Sequence, residues 1–148
     1  MTLLDRVKED LKTAMRQRDS VVMGALRMLL SALQQKEKDK HSELSNEESQ
    51  VVVASEAKKR REAIEGFKKG GAIDRAEQEQ TELTCLLQYL PEQMREEEIR
   101  SIVKEAIEKT GASSVKDMGK LMAEIMPKVK GKADGSAVNK VVKENLAG

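Results

Sequence analysis

Apolar residues recur along this chain at intervals of three and four, and no stretch of useful length alternates with the period of two that a half-buried strand requires. Leu4, Val7, Leu11 and Met15 form the first such stripe. Thr2 precedes it, with Asp5 three residues on, the spacing of a reciprocal N-terminal cap. Arg18-Asp19-Ser20 is a polar break, and either Asp19 or Ser20 caps the next helix. That helix carries Val22, Leu26, Leu29 and Leu33 on one side and runs out into the charged segment from Lys36 to His41. Two helices joined by so short a link are expected to lie antiparallel. Ser45 and Glu48 repeat the capping pattern and open a third helix toward Gly70, with Val53, Ala57, Ile64 and Phe67 as its seam. Gly70-Gly71 stops it, because glycine tolerates the left-handed conformation at a helix C-terminus. A fourth helix is expected over 72–90, with Ala76, Leu83, Leu87 and Leu90 inward, so that the first four helices make two successive hairpins. Val51-Val52-Val53 is the one β-like run, and it lies inside a capped helical pattern.

Pro91 is the strongest boundary in the chain, because the residue before a proline avoids helical geometry. Beyond it the predicted helices shorten. Ile99, Val103, Ala106 and Ile107 mark a fifth, ended by Gly111. Ser114 and Asp117 resemble a cap for a sixth, which carries Met118, Leu121, Met122 and Ile125 and is expected to end at Pro127. Ser136 is read as the cap of a seventh, with Val138, Val141, Val142 and Leu146 inward. The fold class is therefore all-α, with an N-terminal domain of long helical hairpins over 1–91 and a C-terminal domain of short helices over 92–148.

Composition agrees with thin helix–helix seams. The 148 residues include 39% hydrophobic side chains, drawn from Leu, Val, Ile, Ala and eight Met, while the aromatics are Phe67 and Tyr89 alone. Charged residues make up 36%, with 27 basic against 26 acidic, so self-repulsion does not oppose folding. No apolar run approaches the roughly 20 residues of a membrane span, and the N-terminus lacks a signal-peptide layout. With the single cysteine Cys85, which rules out an internal disulfide, this points to a cytoplasmic protein.

Catalytic chemistry has little to stand on. Cys85 lies on an apolar helix without the electropositive, open surroundings of a reactive thiolate, and His41 lies in a charged helix end. Metal-ligand spacings and phosphate loops are absent, so no catalytic residue, metal or cofactor is assigned. Glu96-Glu97-Glu98 falls at a predicted helix N-terminus, where negative charge favours the dipole. Lys58 to Arg61 points all round one helical turn and reads as a solvated segment offset by Glu56, Glu62 and Glu65. The more informative basic cluster is Pro127 to Gly135, which places Lys128, Lys130 and Lys132 on a glycine-containing loop running into the last helix. Loop lysines beside helix amides suit a phosphate. From Lys109 onward there are eight basic and four acidic residues, net +4.

The segment from Asp117 to Gly135, followed by Val138-Asn139 and Val141-Val142-Lys143, resembles the motif shared by the YqeY family and the tail domain of the amidotransferase subunit GatB. Leu26-Arg27-Met28-Leu29 and Glu82 through Tyr89-Leu90-Pro91 also match the YqeY pattern, so the resemblance covers nearly the whole chain. It implies a helical N-terminal domain and a C-terminal domain of short helices. It also implies a setting, the complex that converts Glu-tRNA(Gln) or Asp-tRNA(Asn) to the amide form with glutamine as nitrogen donor, where the tail domain packs on the tRNA body. The catalytic cradle of that carbon–nitrogen ligase, with its metal and ATP sites, lies outside the shared region, and the ammonia-producing amidase is a separate subunit. The resemblance thus implies an accessory module that binds tRNA and docks on an amidotransferase or an aminoacyl-tRNA synthetase, without catalysis of its own.

By motif position, Gly119, Lys120, Lys128, Lys130, Gly131, Lys132, Gly135 and Asn139 are the candidate tRNA-facing set. In that reading Gly119 permits a close helix approach, Gly131 and Gly135 shape the loop, the lysines neutralise phosphates, and Asn139 orients the loop or meets a ribose. The same glycines and Asn139 equally suit a plain turn between two helices. A helical protein–protein interaction module, using the Met-rich N-terminal helices near Arg27, is the alternative function. A self-sufficient ligase is a third.

Overall fold

Side-chain caps open the first three helices of this protein. In the computed structural model, which describes residues 1–146, there are seven α-helices and no strand among the described residues. The chain divides into two compact units, Met1–Pro91 and Glu92–Gly148.

In the first unit α1 spans Leu3–Gln17, α2 Ser20–Lys40, α3 Asn46–Lys69 and α4 Ile73–Leu87. Thr2 and Asp5 exchange side chain–backbone hydrogen bonds at the start of α1, and Ser45 and Glu48 do the same at α3. Asp19 is the cap of α2, its carboxylate accepting from the Val22 amide at 3.2 Å. Each such cap satisfies donors that the first helical turn leaves orphaned and is worth about 1 kcal/mol. Glu48 also meets Lys40 Nζ at 2.6 Å. That ammonium, and then the Ser45 amide, hold the Glu48 carboxyl down at about 2.

The α2 stripe is the spine of this unit: Leu26, Leu29 and Leu33 are fully enclosed between neighbouring helices. Burying a leucine completely stabilises by roughly 1.5–3 kcal/mol. The α1 seam is rotated from the expected one. Leu3, Val7 and Ala14 are buried, whereas Met15 is 49% exposed. The third and fourth helices pair along Ala57, Ile64, Ala76 and Leu83. Gly71, at φ +77°, supplies the left-handed residue between them.

Three features of α3 and α4 depart from the periodic reading. The helix ends at Leu87 rather than Leu90, and the following turn carries Tyr89 into the core, 2% exposed. The Tyr89 hydroxyl donates to Asp10 at 2.5 Å, and the Arg6 guanidinium lies over its ring. Burial, then the Asp10 carboxylate, push the Tyr89 phenol far above its usual range. Arg60 is the larger departure. It belongs to the basic run read as solvated, yet its side chain is only 12% exposed, with Nη1 3.2 Å from Glu79 and 3.6 Å from Glu82 across the α3–α4 seam. Its Nη2 lies 3.0 Å from the Met28 sulfur, while Nε is buried without an acceptor. Glu56, expected to lie in water beside it, is buried too and meets Lys59 at 3.2 Å.

The second unit holds α5 over Glu96–Thr110, a 3-10 turn over Val115–Asp117, α6 over Met118–Val129 and α7 over Gly135–Leu146. Glu96, Glu97 and Glu98 fill the first turn of α5, where they complement the helix dipole. Ser114 and Asp117 form their reciprocal cap across the 3-10 turn. The core consists of short side chains: Val103, Leu121, Ile125, Val138 and Val142 are all fully enclosed. Pro127 does not end α6. Proline forfeits the bond its missing N–H would make to the carbonyl four residues back, and its ring crowds that carbonyl. Ala123, which owns that carbonyl, is exposed, so water can satisfy it, and buried Val129 holds the last turn in place.

The Arg60 cluster yields two predictions. Arg60→Ala leaves two poorly solvated carboxylates without their cation, and the loss of stability expected in urea denaturation is about 2–3 kcal/mol. Burial, then Glu79, push the Glu82 carboxyl up, and Arg60 pulls it back. The folded chain therefore keeps the Glu82 proton to a higher pH than the unfolded chain, so stability falls as pH rises above the usual glutamate value of 4.5. Glu82→Gln is expected to flatten that decline in urea midpoints measured from pH 4 to 7.

Candidate functional site

The basic segment of the second unit is organised by the way the chain leaves α6. Val129 is buried, so the next residues turn around its carbonyl, which accepts the amides of Lys132 at 2.9 Å and Ala133 at 3.1 Å. The turn requires φ +77° at Gly131, a value that costs a residue with a Cβ about 1–2 kcal/mol. Two bonds hold the turn from behind. Met94 N–H donates to the Lys132 carbonyl at 2.7 Å, and Gln93 Nε2 donates to the Gly131 carbonyl at 3.0 Å. The Lys130 and Lys132 side chains are exposed.

Lys128 is not on this loop. It lies in the last turn of α6, where it complements the dipole and stands 3.7 Å from Glu124. Glu124 also meets Lys109 of α5 at 2.8 Å. The Lys109 ammonium holds the Glu124 carboxyl below its usual range, and Glu124 raises Lys109 in turn. Lys128 thus shares its carboxylate with a second lysine. Lys120, Lys130 and Lys132 are in no ion pair among the described residues.

Of the eight residues proposed from sequence, six are divided between the two ends of α6 and two lie on α7. Gly119 and Lys120 sit in the first turn of α6, and Lys128, Lys130, Gly131 and Lys132 at its far end. At about 1.5 Å per residue the separation is roughly 15 Å. Gly135 is the first residue of α7, and Asn139 lies one turn on, exposed. Ser136 is therefore inside the helix rather than its cap, and Asp134 takes the position ahead of it, its carbonyl accepting from Val138. A carboxylate-bearing residue at that helix entrance makes its amides a poorer anion site than expected. The roles expected of the glycines also separate. A Cβ built on Gly119 or Gly135 meets nothing within 4 Å, so neither accommodates a close approach within this chain. Gly131 alone shapes the turn, and no hydrogen bond ties Asn139 to the loop among the described residues.

Cys85 is half-buried at the end of α4. Burial pushes its thiol up, and the carboxylates of Asp10, Asp19 and Glu82 act in the same direction, against the pull of the Gln88 amide. Such a thiol stays protonated at neutral pH and is a poor nucleophile. Among the described residues no group of three or more His, Cys, Asp or Glu is placed to hold a metal, and no helix is long and apolar enough to cross a membrane.

Sequence periodicity had no means of finding Gln93 and Met94, which lie outside any helix. Their proximity to a proline that ends one unit was the available signal.

The glycine geometry leads to a contrast measurable by thermal or urea unfolding. Gly131→Ala is expected to cost about 1–2 kcal/mol. Gly119→Ala, in a helix with open space around it, is expected to be neutral or to stabilise by up to about 1 kcal/mol.

Over 86 residues the chain is 30% identical to an uncharacterized protein of Schizosaccharomyces pombe, a match that covers 58% of this chain and 70% of that one. The family model described as Yqey-like protein matches residues 4–146. A match over so much of the sequence shows that the chain belongs to the YqeY family.

Proposed function

We propose that this protein is a tRNA-binding accessory module, similar to the tail of the glutamine-dependent tRNA amidotransferase and without catalysis of its own. The observation that carries the reading is the exposed lysine cluster at the end of α6. Lys130 and Lys132 project from a turn whose backbone is pinned from behind, and among the described residues neither side chain is in an ion pair. Lysines held on an ordered turn lose less entropy on meeting a phosphate than lysines on a mobile tail. Membership of the YqeY family supports the same reading through the resemblance of its C-terminal motif to the GatB tail. The ligase's nitrogen-transfer chemistry belongs to other parts of such a complex. Cys85, with its raised pKa, offers no substitute for them. The partners of this reading are tRNA and the amidotransferase or aminoacyl-tRNA synthetase that acts on it, in the cytoplasm.

A second reading, a protein-interaction module, is favoured by one feature of the first unit. An open groove between α1 and α2 is lined by Leu11, Met15 and Leu30, with Met1 at its end. Methionine at such a surface adapts to varied partners.

Titration of the purified chain with total tRNA, at low and near-physiological salt, tests both. With three or four phosphates engaged, the expected log–log salt slope is about −2 to −4. The triple Lys128/Lys130/Lys132→Glu variant is expected to lose binding across tRNA species while staying helical. Unchanged affinity in that variant overturns the loop assignment. Absence of binding by the wild type at low salt, with protein partners retained through nuclease and high salt, favours the groove.

A further inference from the structure

The loop lysines continue into a second feature that their charge alone does not explain. Leu121, Ile125 and Val129 bury one side of α6. At 100° per residue the side turned away from them carries Gly119, Lys120, Ala123, Pro127 and, just past the last turn, Lys130, all exposed. Between the two lysines this face is nearly bare. Glycine, alanine and proline leave the helix surface within reach of anything that lies along it, and a Cβ placed on Gly119 meets open space beyond its own stretch of helix. The lysines stand about 15 Å apart along the axis.

Charge selects the occupant. Both charged groups on the face are cationic, and neither is in an ion pair among the described residues. Of the flanking carboxylates, Glu124 is engaged with Lys109 and Lys128, and Asp117 accepts from the Ser113 and Ser114 amides while its charge also attracts Lys120 at that end of the face. A ligand lying along this face meets positive charge at each end and no opposing negative charge between, which fits a polyanion with two separated rows of phosphates.

Composition selects its form. Phe67 and Tyr89, the aromatics of the chain, and its one histidine, His41, all belong to the first unit. The second unit therefore offers no aromatic platform for unstacked bases, the usual means of holding a single strand. The face also carries no Asn, Gln or Arg to read base edges. What remains is shape and backbone. A-form RNA presents a wide, shallow minor groove bounded by phosphates, whereas the B-DNA minor groove, about 6 Å wide, is too narrow for a helix about 10 Å across.

We propose that the outward face of α6 lies on the minor groove of a double-helical RNA segment, with Lys120 and Lys130 on the phosphates that bound it. This rests on the tRNA reading and deepens it, because it places a base-paired stem rather than a loop against the second unit and makes the contact independent of base sequence.

The test uses the full chain and four probes: total tRNA, a short RNA duplex, its two separated strands, and a DNA duplex of the same sequence. Gly119→Gln and Ala123→Gln add bulk to open helix positions without changing charge, and unchanged helicity and melting verify that each still folds. The expected result is that the RNA duplex binds on the order of tenfold more tightly than either strand or the DNA, and that each Gln variant weakens the duplex on the order of tenfold. If tRNA binds but the duplex is no better than the strands or the DNA, or if both Gln variants bind like wild type, the α6 assignment is wrong and the tRNA reading stands. If neither tRNA nor the duplex binds at low salt, both fall.

Discussion

The basic surface of the second unit depends on how the chain leaves Val129. That side chain is buried, so the helix cannot fray around it, and the reversal is completed over Lys130 to Asp134 around a single carbonyl. Gly131 makes the reversal sterically possible, and the bonds from Gln93 and Met94 fix it. With the loop carbonyls drawn toward residues 93 and 94, Lys130 and Lys132 are left in solvent. Packing of one apolar residue thereby sets the display of two cations several ångströms away.

The two units use the same residue types for opposite ends. In the first, charge is spent on structure. Arg60 sits between Glu79 and Glu82, Lys40 anchors Glu48 at a helix cap, and Arg6 covers the Tyr89 ring. In the second, Lys109 and Lys128 converge on Glu124, while Lys120, Lys130 and Lys132 have no ion-pair partner among the described residues. The difference lies in desolvation. A guanidinium enclosed at a helix seam needs compensating carboxylates, because an uncompensated charge there costs several kcal/mol. A lysine with its ammonium in water needs none, and its charge stays available to a ligand.

Absence of aromatic side chains gives the second unit its particular character. Leucine, isoleucine, valine and alanine fill its core and leave α6 with a face of glycine, alanine and proline. The unit carries no aromatic side chain on which an unstacked base could stack, which is why the proposed contact is one of surface shape and phosphate charge. Membership of the YqeY family accords with this economy, since the shared motif spans the same helix and the turn that follows it.

Element type, the order of helices and most of their starts were legible along the chain. Those features follow from local periodicity and from caps formed within four residues, as at Thr2–Asp5, Ser45–Glu48 and Ser114–Asp117. The sequence also singled out the lysines of the α6–α7 segment, because charge density is visible in one dimension. Tertiary structure alone decided which of several apolar residues faced inward, turning Met15 out and Tyr89 in. It drew Arg60 into the seam, carried α6 through Pro127, and divided the candidate residues among the two ends of α6 and the helix α7. The contacts that hold Arg60, Tyr89 and Gly131 come from groups distant in sequence: a carboxylate nineteen residues from Arg60, an aspartate seventy-nine from Tyr89, a glutamine thirty-eight from Gly131. Local pattern cannot carry such information, because burial and hydrogen-bond partners are set only when separate helices meet.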